Sequence, residues 1–203
     1  TRNDAAYVDG VVCRLKLADK RMASKLAQPR ILLLDCPLEH ESGSLATSFE
    51  ALRMQEEEHM GMVVAEMVKQ RIDLLLVSGS VCLTAKEKLL DARIALATHV
   101  KPSVLRRLAR SCATTLYKSP AQVLGATPGT CGHWRVENLS ITEPESVLPP
   151  PPGPRSRRVT LMYFEGCAPS LGATVLLRGG GTPQLKALKK LLAAATFVAA
   201  DLF

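Results

Sequence analysis

Aromatic residues are scarce in this 203-residue chain, which has four Phe, three Tyr and one Trp. With no aromatic platform interleaved among its cations, recognition of single-stranded nucleic acid by base stacking has nothing to work with. No uninterrupted apolar run reaches the ~18 residues that a bilayer-spanning helix needs. The six cysteines, at 13, 36, 82, 112, 131 and 167, form no C-x-x-C pair, and no zinc-finger spacing occurs. The chain therefore reads as one with no nucleic-acid partner and no direct membrane insertion, carrying six reduced and mostly buried thiols. Its opening, TRNDAAYVDG, has neither an initiator Met nor an apolar signal core, as expected of a piece of something longer.

What is present suits one domain with a real core, since 47% of the residues are apolar and a domain takes roughly 150 residues. The formal charge of +7 is spread over small groups: Arg106, Arg107 and Arg110; Arg155, Arg157 and Arg158; Lys186, Lys189 and Lys190. Solvated helix faces account for most of it. Residues 10–17 (GVVCRLKL) alternate like a half-buried strand, and 31–36 (ILLLDC) read as a central strand. Thr47-x-x-Glu50 is a capping box opening a long helix, with Met60, Val63, Val64, Met67 and Val68 on one face and Arg53, Glu56 and Glu57 on the wet one. A strand at 73–77, a helix at 84–92 and an apolar segment at 94–100 follow. Next come a basic helix at 102–111, with Val104, Leu105 and Leu108 inward, and a strand at 114–117. Such alternation argues for a mostly parallel sheet covered by helices. After a strand at 133–141, residues 142–158 (TEPESVLPPPPGPRSRR) read as an extended, solvated loop, because its prolines donate no ladder hydrogen bonds. Strands at 159–164 and 173–177 precede a final helix at 182–203.

The stretch at 174–192, TVLLRGGGTPQLKALKKLL, has the outline of a phosphate loop at a helix N-terminus. Its spacing matches neither G-x-x-x-x-G-K-[ST] nor G-x-G-x-x-G. What remains is a flexible joint at Gly179, Gly180 and Gly181, with Thr182 as helix cap and Pro183 at the first helical position. Cys131-Gly132-His133 lacks the second pair of ligands that zinc requires. No G-x-S-x-G elbow appears, and none of His40, His59, His99 and His133 stands in a context that marks a base. Glu56, Glu57 and Glu58 fan around a helix and do not converge. The residues thus nominate no catalytic group, no metal site and no cofactor for this chain.

The segment LVSGSVCLTAKEKLLDARIALATHVKPSVLRRLARSC, with the later GTCG and TVLLRGGG, resembles the apical domain of the group II chaperonins, from about residue 10 to the end. More narrowly, LMYFEGCAPSLGATVLLRGG resembles the chaperonin-like domain of the PIKfyve family of phosphatidylinositol 3-phosphate 5-kinases, its plant and algal members above all. Phe164-Glu165-Gly166-Cys167 and Leu171-Gly172 are the most specific part. Chaperonin apical domains carry a long helical protrusion after the strand matching ILLLDCPLEH; here only residues 40–48 stand before the QEEEHM helix, which favours the kinase family. The resemblance implies a single α/β domain of apical type, a β-sandwich core flanked by helices, with the glycine joint where an apical domain meets its intermediate domain. It implies a non-catalytic interaction module of a lipid kinase whose Mg-ATP chemistry lies elsewhere in the parent. That module would dock a scaffold protein and a phosphoinositide phosphatase, in the cytoplasm at endosomal or vacuolar membranes. Client binding in a folding chaperonin subunit is the alternative. By the same resemblance, residues 103–111 and 40–49 correspond to the client-contacting helix and loop. That nominates Arg106, Arg107, Arg110, Leu45 and Phe49 for protein binding and Gly179, Gly180 and Gly181 as the hinge.

Overall fold

The structure, a computed structural model, describes residues 4–39, 49–142, 156–167 and 171–202. The chain runs through β1 (Asp4–Val8), β2 (Gly10–Cys13), β3 (Lys25–Ala27), β4 (Arg30–Leu34) and α1 (Phe49–Lys69). It continues through β5 (Leu74–Val77), α2 (Leu83–Asp91), β6 (Ala95–Ala97), α3 (Pro102–Ser111), β7 (Leu116–Tyr117) and a 3-10 turn at Pro120–Val123. The long antiparallel strands β8 (Gly129–Thr142) and β9 (Ser156–Cys167) follow, then β10 (Thr174–Arg178) and α4 (Thr182–Leu202).

The β-α-β rhythm of residues 30–117 yields parallel pairs: β4 with β5, β5 with β6, and β4 with β7. Strands β4, β5 and β6 are buried on both faces, which is why their sequences are continuous apolar runs. The remaining strands are antiparallel. β9 pairs with β2 on one side and β8 on the other, and β3 pairs with β8 at its Trp134 level. The first residues of β8 turn to β4, Thr130 opposite Arg30 and Gly129 opposite Ile31, so that β8 joins both limbs in the order β2-β9-β8-β4-β5-β6. The mostly parallel sheet inferred from alternation is therefore corrected to a mixed one. Alternation reports β-α-β units alone, and the β8–β9 ribbon contains no helix to signal it. One core serves both limbs: Ile31, Leu33, Leu75 and Leu96 of the parallel limb cluster with Val11, Trp134, Met162 and Phe164 of the antiparallel one.

Two local expectations shift. In α1, Met60, Val63, Val64 and Met67 are buried, whereas Val68 is exposed. The expected loop at 142–158 is shorter at its end: residues 143–155 lie outside the described residues, but β9 begins at Ser156, with Arg157 opposite Ile141 and Arg158 opposite Ser140. The last proline of that segment is Pro154, and every residue from 155 to 167 has an N–H to give to the ladder.

A second, two-stranded sheet pairs β1 with β10, Asp4 opposite Arg178 and Val8 opposite Thr174. The Arg178 guanidinium donates to the Tyr163 hydroxyl at 2.8 Å, and Val8, Val12 and Tyr163 share a small apolar cluster, which together seat this sheet on the larger one. Helix α4 leaves it through the glycine joint. Gly179 takes φ +100°, a conformation costly for any other residue. Leu185 N–H bonds to the Gly181 carbonyl at 3.0 Å, and Gln184 Oε1 accepts from Gly181 N–H at 3.2 Å. Gly181, rather than Thr182, is thus the cap, because a glutamine three positions on closes back over it. None of the α4 residues is buried, and Leu188, Leu191, Leu192, Val198 and Leu202 stay exposed.

Candidate docking surface

Helix α3 carries the nominated arginines. Pro102 starts it, and Leu105, Leu108 and Ser111 turn into the core while Val104 is half-buried. This places Arg106, Arg107 and Arg110 on the exposed side. The helix stops at Cys112, where Ala113 adopts φ +50° and Thr114 N–H reaches back to the Ala109 carbonyl at 2.9 Å. That closure is a Schellman motif with alanine in the position glycine favours. Ala113→Gly is expected to raise stability by about 1 kcal/mol, read as a higher urea midpoint at unchanged slope; an unchanged or lower midpoint would contradict the strain.

The three arginines are not equivalent. Arg107 Nη2 donates to Thr174 Oγ1 at 2.7 Å; that hydroxyl donates to the Gly10 carbonyl at 2.8 Å and accepts from Val12 N–H at 3.2 Å. Arg107 therefore latches α3 to the junction of β2 and β10. Arg106 Nε makes a long 3.4 Å bond to the Pro102 carbonyl of its own helix. Arg110 takes part in none of the ion pairs among the described residues, and it stands with Arg107 over a cleft of about 120 Å³ floored by Gly10 and Val11 and rimmed by Leu171 and Gly172. Thr174 escaped the sequence reading because its role depends on a contact 67 residues away; the only local signal was a hydroxyl opening a strand. Leu45, also nominated, lies outside the described residues, and Phe49 is the first residue of α1.

The thiols near this surface sort by depth. Burial pushes Cys13 up to about 12 despite the Arg107 charge nearby, and burial likewise pushes Cys131 up to about 12. Cys112 is raised first by its hydrogen bond with Cys167 and then by burial, and the same bond lowers Cys167. No group of three His, Cys, Asp or Glu side chains among the described residues can hold a metal ion, and Cys131 Sγ points to the His133 carbonyl at 3.5 Å. Alkylation of the folded protein at pH 8 is expected to modify half-buried Cys167 first, with Cys13 and Cys131 at least about a hundredfold slower, since buried thiols have almost no thiolate. Peptide mapping after timed quenching reads the order; early loss of Cys13 would contradict it.

Two sheet limbs sharing one core, with helices packed on the parallel limb and a glycine joint leading to an unburied helix, define the class: an apical-type chaperonin domain. The structure matches the open-state monomer of a group II chaperonin from Methanococcoides burtonii with a TM-score of 0.70, covering 96% of this chain and 40% of that one at 24% identity. The sequence profile of the TCP-1/cpn60 chaperonin family matches residues 1–203, and the chain belongs to that family. Among its relatives, it is 37% identical over 203 residues to the putative 1-phosphatidylinositol-3-phosphate 5-kinase FAB1C of Arabidopsis thaliana, covering 98% of this chain and 12% of the relative. It is 33% identical over 192 residues to the human 1-phosphatidylinositol 3-phosphate 5-kinase, covering 93% of this chain and 9% of that protein. The chain thus spans about a tenth of the length of these kinases and is homologous to their chaperonin-like region. No helix of the described residues is long and apolar enough to cross a membrane.

Proposed function

We propose that this chain is a non-catalytic protein-interaction and regulatory module of a phosphatidylinositol 3-phosphate 5-kinase, docking a scaffold protein and a phosphoinositide phosphatase through the α3 surface. The observation that carries the reading is identity of 33% and 37% to two such kinases across nearly the whole chain, within relatives about ten times longer. Lipid phosphorylation with Mg-ATP then belongs to other parts of the parent, which works in the cytoplasm at an endosomal or vacuolar membrane. The exposed apolar stripe of α4 supports a domain built into a larger protein, because an apolar face of that size is ordinarily covered. Client binding by a folding chaperonin is the second reading, which the family match and the likeness of fold allow; it ranks lower because identity to the chaperonin structure is 24%, against 33% and 37% to the two kinases.

The test uses the full-length parent kinase with residues 1–203 removed. Phosphorylation of phosphatidylinositol 3-phosphate in detergent micelles should persist, while co-purification of the scaffold and the phosphatase is lost. Loss of micellar activity with both partners still bound would overturn the proposal.

A further inference from the structure

A broad groove of about 550 Å³ lies between the segment leaving β2, the turn after β6 and the strand β9. Its cations are Arg14 and Lys16 from the first and Arg158 from the third, and the imidazole of His99 stands beside them from the second. All four side chains are exposed, and among the described residues no carboxylate lines the groove. Elsewhere the chain pairs its surface cations readily: Arg21 and Lys86 with Asp19, Lys69 with Glu66, Lys88 with Glu57, Arg135 with Glu165. None of those ion pairs involves a groove cation, so among the described residues like charges converge here without compensation.

The walls are held in place by backbone bonds. Cys13 is in register with Met162 of β9, Ala18 N–H donates to the Leu96 carbonyl of β6 at 2.8 Å, and His99 N–H donates to the Gly79 carbonyl at 3.2 Å. The floor includes buried Val159 and half-buried Leu15, low-dielectric material that strengthens the field of the cations above it. A preformed cationic groove with an apolar floor favours an anion that brings several charges at once. Arginine's planar fork matches phosphate oxygens in pairs. The volume is many times the ~30 Å³ share of one water, which suits more than one phosphate group. Among the described residues no aromatic side chain lines the groove, so a nucleobase finds no stacking surface there.

We propose that this groove, bounded by Arg14, Lys16, His99 and Arg158, is a binding site for a phosphorylated polyol carrying two or more phosphate groups. Its lining shares no residue with the α3 cleft, and neither its success nor its failure bears on the docking proposal. The same chemistry reaches the groove from a soluble inositol phosphate or from the headgroup of a phosphoinositide lipid.

The test is calorimetric titration of the whole chain with inositol 1,4,5-trisphosphate at roughly 0.1 M salt, where charges farther apart than ~10 Å are screened. A second arm uses phosphatidylcholine vesicles with and without phosphatidylinositol 4,5-bisphosphate. Saturable binding is expected, weakened about tenfold by Arg14→Gln and about tenfold by Arg158→Gln, the loss of roughly one charge-assisted contact each. The double variant Lys186→Gln with Lys189→Gln, which removes two charges from α4, should change affinity less than twofold. Binding in solution alone assigns the soluble source, and groove-dependent binding to bisphosphate vesicles assigns the lipid source. The proposal is overturned by no saturable binding in either arm, by equal weakening in the α4 variant, or by full competition from a glutamate-rich peptide of matched charge. Both groove arginines are exposed, and circular dichroism verifies that each variant is folded.

Discussion

Gly10→Ala is expected to cost roughly 4 kcal/mol or more, lowering the melting temperature by about 10 °C for a domain of this length. Gly10 opens β2, where the chain passes from the two-stranded sheet to the main one, and its φ is +137°. A Cβ built there would stand 2.0 Å from the carbonyl oxygen of Phe164 and 3.2 Å from the Glu165 Cα. Both are backbone atoms of β9 in the ladder with β2, so no side-chain rotation relieves the clash. The carbonyl of Gly10 also takes the Thr174 hydroxyl, and displacing β2 would loosen the latch on Arg107. Gly61→Ala serves as the opposite control. Its Cβ would meet only the Lys88 ammonium end at 3.7 Å, inside α1, and alanine's helix preference should stabilise by about 0.5–1 kcal/mol. Thermal unfolding followed by circular dichroism reads both; a Gly10→Ala variant within 1 kcal/mol of the parent would mean that β2 can shift freely.

How much of this was legible in the sequence depends on the range of the interaction that sets each element. Strands β4, β5 and β6 are apolar runs because both faces are covered, and α3 declares itself by Leu105 and Leu108 set against arginines. Those signals are local. β1 was not recognised, since its partner β10 lies some 170 residues on, with Asp4 opposite Arg178. β3 is three residues at a turn-like Lys-Leu-Ala, readable only once Trp134 is opposite Leu26. The glycines of the joint stand out as a triplet, yet the requirement for positive φ falls on Gly179, and the cap depends on Gln184 folding back. The basic side chains of the groove at 14, 16, 99 and 158 are ordinary surface residues in the sequence, and only the sheet brings them together.

The α3 arginines give the sharpest test of docking, because their different engagements predict different outcomes. Arg110 has no ion pair among the described residues, and Arg106 bonds weakly within its own helix, so both can be replaced without unmaking the fold. Arg106→Glu with Arg110→Glu is expected to leave the melting curve unchanged while weakening capture of the scaffold partner by about 2–4 kcal/mol, roughly 30- to 1,000-fold. Under the docking proposal, reversal costs more than removal, since each carboxylate would face the acidic groups that an arginine fork would otherwise pair with. Arg107→Glu should behave otherwise. It loses the 2.7 Å bond to Thr174 and sets a carboxylate against a hydroxyl whose proton is already given to the Gly10 carbonyl, so stability and capture should fall together. Surface plasmon resonance with the partner immobilised reads the affinities, and urea unfolding reads the fold. If the Arg106→Glu, Arg110→Glu chain folds normally and binds within threefold of the parent, a range below 1 kcal/mol, the docking surface lies off α3.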